Sequence, residues 1–186
     1  MGRKRIGLIC AAFLSACLLA GCSSALKEGT EALGAGDYEK ALTDFQEAAS
    51  DEDRETAAEG YRGLGIVYYE SGDYGQALEA FENALDNGAE QTVQLYNLMG
   101  AAAMQEQNYE KALEYFQAGL ELAETQSGED SADAGMIQEM EYNEIICYEQ
   151  TADWENAKQK ITEYTEKYPD DENAKKEAEF LETRYT

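Results

Sequence analysis

Tyr61-Arg62-Gly63-Leu64-Gly65-Ile66-Val67-Tyr68-Tyr69-Glu70-Ser71-Gly72-Asp73-Tyr74-Gly75-Gln76-Ala77-Leu78-Glu79-Ala80-Phe81 is the stretch on which the fold turns. Tyr61, Leu64, Gly65 and Tyr68 fall at helical spacing, which predicts a first helix with one packed face. The Gly72-Asp73 pair then breaks it, with Asp73 expected to cap the next helix. Ala77, Phe81, Ala84 and Leu85 form the apolar stripe of that second helix. Gly65 and Ala77 read as small because two helices cross there.

The same hairpin recurs. Gly36-Asp37-Tyr38-Glu39-Lys40-Ala41-Leu42 matches Gly72-Asp73-Tyr74-Gly75-Gln76-Ala77-Leu78. It returns as Gln107-Asn108-Tyr109-Glu110-Lys111-Ala112-Leu113 and, more faintly, as Ala152-Asp153-Trp154-Glu155-Asn156-Ala157-Lys158. The alanines are separated by 36, 35 and 45 residues. Phe45, Phe81, Phe116 and Ile161 stand four residues after them, and Gly29, Gly65, Gly100 and Ile145 twelve before. One hairpin cannot bury both of its faces, so consecutive copies are expected to stack on a shared core.

This pattern resembles the tetratricopeptide repeat (TPR). The second copy fits best, with Tyr61, Leu64-Gly65, Tyr68, Ala77 and Phe81 in place. The third keeps Tyr96, Gly100, Ala112 and Phe116, and the fourth keeps Tyr148, Ala157 and the closing Pro169. In the first, only Gly29, Ala41 and Phe45 are clear. The resemblance implies an all-α, right-handed solenoid of four helix-turn-helix repeats, at about 25–55, 58–91, 93–126 and 136–169. Asp170-Asp171 then starts a last helix, 170–186, with Ala174, Ala178, Leu181 and Tyr185 on one stripe. It reads as the cap that an open repeat end needs. The longer fourth step places a polar loop at about Gln126 to Gly135, read as tolerated rather than functional.

The amino-terminal end sets an expected compartment. Arg3, Lys4 and Arg5 precede an apolar run from Ile6 to Ala20, the layout of a secretory signal. Leu19-Ala20-Gly21-Cys22 resembles the lipobox of bacterial lipoproteins. That resemblance implies cleavage after residue 21 and lipidation of Cys22, with 22–24 as the lipidated amino terminus. Two acyl chains would make a stable anchor on the extracytoplasmic side of the bacterial membrane. Of the four cysteines, Cys10 and Cys17 would leave with the signal, and Cys147 alone would stay a thiol. It reads as a small core residue.

Charge excludes several partners. The chain carries −25, and loss of the three basic residues of the signal brings the mature part to −28. Phosphate binding rests on Lys and Arg, so nucleic acid is not an expected partner. The chain has no histidine, which removes the usual acid–base residue and the commonest zinc ligand. No phosphate-cradling loop and no serine-nucleophile turn is present. The carboxylates read as scattered over exposed faces, with nothing to set one pKa against another. No catalytic residue, cofactor or metal is expected.

The resemblance implies that the first helix of each hairpin lines a partner-binding groove. Its outward positions are Leu26 and Leu33 in the first repeat; Arg62, Ile66 and Tyr69 in the second; Asn97, Ala101 and Met104 in the third; and Tyr142, Ile146 and Glu149 in the fourth. Glu39, Glu47, Glu79, Glu82, Glu110, Glu114, Glu155 and Glu163 mark the second helices as an acidic, solvated face. An apolar strip with an acidic rim suits an apolar or aromatic peptide with basic flanks. Only Arg62 and Asn97 could clasp a carboxylate, so that specialisation of the family is not carried over. The expected function is a membrane-tethered adaptor in the cell envelope. An assembly or piloting lipoprotein of an envelope machine, or an accessory activator of a cell-wall enzyme, remain open alternatives.

Overall fold

The computed structural model describes residues 24–126 and 132–184 of the chain. The signal, Cys22 and Tyr185 therefore lie outside the described residues. So does the centre of the loop that the fourth spacing implies. All regular structure among the described residues is helical: α1 (Ser24–Ala35), α2 (Tyr38–Ala49), α3 (Arg54–Ser71), α4 (Tyr74–Asp86), α5 (Val93–Gln105), α6 (Tyr109–Thr125), α7 (Ala134–Gln150), α8 (Trp154–Lys167) and α9 (Glu172–Arg184). α7 starts at Ala134 with Asp133 as its cap, so Ala134 and Gly135 belong to the helix and not to the expected loop.

The chain divides into two compact units, Met1–Glu90 and Gln91–Thr186. In the first, α1 pairs with α2, α2 with α3 and α3 with α4, and α1 also touches α3. The packing is a ring laid on bare backbone. Phe45 is fully buried; a Cβ at Gly29 of α1 would stand 2.9 Å from its ring, and one at Gly63 of α3 would strike the same ring. Phe81 likewise covers Gly65. The close approach at Gly65 is to this phenylalanine, with Ala77 buried one turn earlier on α4.

The second unit repeats the device once and then changes it. Phe116 lies over Gly100, where a Cβ would come 2.5 Å from the ring. In the hairpin of α7 and α8 the glycine is replaced by Ile145 and the phenylalanine by Ile161, both 1% exposed in one apolar cluster. A larger residue on one helix and a smaller one on the other keep the filled volume similar, the exchange that cores tolerate best. α9 joins this cluster through Ala174 and Leu181. Its start is fixed by Asp171, whose Oδ1 accepts from the backbone N–H groups of Asn173 and Ala174 at 3.0 and 3.1 Å. Tyr164 Oη donates to the other Asp171 oxygen at 3.0 Å. α9 therefore caps the array as expected, with Phe180 left 42% exposed.

The turns explain where the hairpins begin again. Gly36 and Gly72 adopt φ of +75° and +82°, the left-handed conformation that ends a helix. Gln107 and Ala152 hold the equivalent places at φ +59° and +58°, where a side chain costs about 1 kcal/mol. Asp37, Asn108 and Asp153 each accept from a backbone N–H three residues on, at 3.1, 3.2 and 3.3 Å. Asp73 is the exception. Its carboxylate accepts no backbone N–H and takes the side-chain amide of Gln76 instead, at 2.5 Å. Ala152→Gly is expected to stabilise the second unit by about 1 kcal/mol in a urea melt, because glycine adopts this φ without strain.

Candidate partner-binding surface

Three of the expected groove residues are core. Ile66 is 3% exposed, and Leu26 and Leu33 are buried too. α3 has α1, α2 and α4 packed on it, so its solvent-facing strip is narrower than a four-residue spacing suggests. The other two expected positions on α3, Arg62 and Tyr69, are half-buried. The Arg62 guanidinium is paired with Glu59 one turn earlier. Burial pushes the Glu59 carboxyl up, and Arg62 only partly offsets this. The Tyr69 ring meets Tyr74 edge-on, centroids 5.4 Å apart.

In the second unit, α5 and α7 are in contact. Asn97, Ala101 and Met104 recur at helical spacing on α5, and Tyr142, Ile146 and Glu149 do so on α7. All six are half-buried. Asn97 Oδ1 and Glu149 Oε1 are enclosed and receive no hydrogen bond. Acceptors in this condition are costly unless a ligand or water supplies a donor. Tyr142 also serves the core, its ring 5.3 Å from Tyr164. Burial, then Glu177, Glu149 and Asp171, raises its hydroxyl pKa.

The expectation that the carboxylates are scattered over exposed faces does not hold throughout. Glu144 is 2% exposed. Its Oε2 meets Lys160 Nζ at 3.0 Å, and its Oε1 accepts from Gln117 Nε2 at 3.0 Å. Gln117 also donates to Tyr148 Oη at 2.9 Å. This network ties α6, α7 and α8 together. Glu149 departs as well: burial, then the Glu177 carboxyl beside it, lifts its pKa from 4.5 to about 7. Neither was visible in the repeat, because the signature marks apolar and small positions and is blind to which polar residues are enclosed. On the second helices the acidic face is as expected, with Glu39, Glu47, Glu79, Glu110, Glu114, Glu155 and Glu163 exposed and only Glu82 half-buried.

Among the described residues, no group of three or more His, Cys, Asp or Glu side chains could hold a metal ion. No described helix is long and apolar enough to cross a membrane.

Comparison with known proteins decides the family. A tetratricopeptide-repeat family model matches residues 26–70 and 62–127, more than half of the chain. The chain belongs to the tetratricopeptide repeat family. No curated protein matches it. Among solved structures, the TPR protein YrrB, described as having an unusual peptide-binding site, superposes with a TM-score of 0.71 at 22% identity. That likeness covers 89% of this chain and 80% of YrrB. MamA (residues 41 to the end) from Desulfovibrio magneticus gives 0.68 at 18% identity, over 88% of this chain and 87% of MamA. These likenesses establish the TPR architecture beyond the matched repeats. TPR arrays in general act as protein-interaction scaffolds, and function lives in the residues each one displays.

Proposed function

We propose that this chain is a membrane-tethered TPR adaptor that holds a protein or peptide partner in the bacterial cell envelope. The observation that carries the binding reading is the α5–α7 surface. Ala101, Met104, Tyr142 and Ile146 are half-exposed there, beside the two acceptor oxygens of Asn97 and Glu149 that nothing donates to. An extended or helical segment with apolar or aromatic anchors fits the strip. Backbone N–H groups or basic side chains would meet the acceptors, and the net charge of −25 favours basic flanks. YrrB, with its peptide-binding site, supports a peptide as the kind of partner. In the first unit, taken by itself, Tyr69 and Arg62 are half-buried candidates for contact. Leu19-Ala20-Gly21-Cys22 after a basic and apolar start supports tethering by lipid at Cys22.

The test separates anchor from surface. Crosslinking capture from native membranes is compared for wild type, Cys22→Ser and Met104→Glu, after matching helical circular dichroism and melting. Cys22→Ser is expected to leave the membrane fraction. Met104→Glu is expected to stay there while capturing its partner at least about tenfold less, as loss of one anchor residue implies. Membrane retention of Cys22→Ser would refute the lipid anchor. Undiminished capture by Met104→Glu would refute the surface.

A further inference from the structure

Asn87 is the only asparagine in the chain that is followed by glycine. The backbone nitrogen of the following residue can attack an asparagine side chain and close a five-membered imide. Glycine is the least hindered residue for this ring, having no Cβ beside the attacking nitrogen. The pair stands at the end of α4, where Asn87 is the C-cap and half-buried, and Gly88 is exposed. Gly88 holds φ at +96°, so the turn itself calls for the residue that makes its neighbour reactive.

The closed turn opposes the attack. The Gly88 N–H donates to Leu85 O at 2.9 Å and the Ala89 N–H to Ala84 O at 2.9 Å, the paired bonds of a Schellman motif. Asn87 Nδ2 donates to Asn83 O at 2.8 Å, which draws the amide back along its own helix. A ψ of −1° at Asn87 also turns the Gly88 nitrogen well away from Cβ, whereas ring closure needs the two nearly eclipsed. Arg54, at the start of α3, clamps the same turn, its Nη2 donating to Asp86 O at 2.8 Å.

We propose that Asn87–Gly88 is a deamidation site held in check by the closed end of α4, so that residue 87 converts when that turn opens. In the step, the Gly88 nitrogen gives its proton to solvent base and bonds to Cγ. The Cγ–Nδ2 bond breaks, and Nδ2 departs as ammonia. Water then opens the imide: cleavage at Cγ gives aspartate, and cleavage at the backbone carbonyl gives isoaspartate. Water is the only co-reactant, and nothing is oxidised or reduced. The products do not restore the turn. A carboxylate has no proton to give Asn83 O, and it adds negative charge beside Asp86 at the carbonyl end of α4, where the helix dipole disfavours anions. Isoaspartate also inserts a backbone atom before Gly88, which shifts the bonds to Leu85 and Ala84 out of register.

Incubation of the full chain at pH 8.5, folded and in urea, tests this, with the peptide spanning residue 87 followed by chromatography and mass spectrometry. Conversion is expected to be at least about tenfold slower in the folded chain, because the reaction draws on the open turn. Aspartate and isoaspartate are both expected, the signature of an imide. Arg54→Met, matched to wild type by helical circular dichroism, is expected to convert several-fold faster when folded and at the wild-type rate in urea. Equal rates in folded and unfolded wild type, aspartate without isoaspartate, earlier conversion at another asparagine, or a folded Arg54→Met no faster than wild type overturns the proposal.

Discussion

Gly60→Ala is expected to cost the first unit about 3 kcal/mol, whereas Gly34→Ala, also in a helix of that unit, is expected to stabilise it by about 0.5–1 kcal/mol. Both replacements gain the same helix propensity, so the difference in sign isolates packing. A Cβ at Gly34 meets nothing within 4 Å. One at Gly60 would lie 2.7 Å from the carbonyl carbon of Ala48 and 2.8 Å from the Cα of Ala49, and would strike the Ala49 nitrogen. Those are backbone atoms of α2, which no rotamer change can move. The two helices must separate, and Phe45, wedged between Gly29 and Gly63, loses its seat. Urea denaturation of both variants beside wild type checks this. A Gly60→Ala midpoint at or above that of wild type would show that α2 and α3 are less tightly joined than described.

The second large effect concerns the enclosed charge. Lys160→Met is expected to cost about 3 kcal/mol, since it leaves the Glu144 carboxylate buried without its cation. Glu144→Leu alone is expected to cost less, because Lys160, with a side chain 36% exposed, regains water. The double variant Lys160→Met, Glu144→Leu is expected to return to within about 1 kcal/mol of wild type, as an apolar pair needs no desolvation. Thermal or urea melts of all four proteins complete the cycle. Additive losses in the double variant would mean that the pair does not interact energetically.

The repeat was readable in the chain because its markers are steric. Gly29, Gly65 and Gly100 sit under Phe45, Phe81 and Phe116, and such contacts permit few alternatives. Asp37, Asn108 and Asp153 behave as capping chemistry requires. The surface was harder to read. Helical spacing placed Ile66 on the outward strip, but the number of helices packed on α3 settles its burial, and that number is not a local property of residues 61–71. Glu144 and Glu149 look like any other acidic residue of an acidic chain. Their environments come from Gln117, Lys160 and Glu177, which are 27, 16 and 28 positions away. Contacts between distant segments create a perturbed carboxylate, and spacing within a helix does not announce them. Asp73 shows the reverse case: the motif is intact, yet Gln76 takes the carboxylate that the backbone was expected to hold.

Cys147, fully buried on α7, has its thiol pushed up to about 12 by burial, then by Glu144. At neutral pH almost none of it is thiolate, so alkylating and disulfide reagents find no nucleophile while the helices stay packed. It is also the only cysteine among the described residues. The molecule thus contains its own clock: the rate at which Cys147 becomes modifiable measures how often the packing around α7 opens, without any probe having been added to the chain.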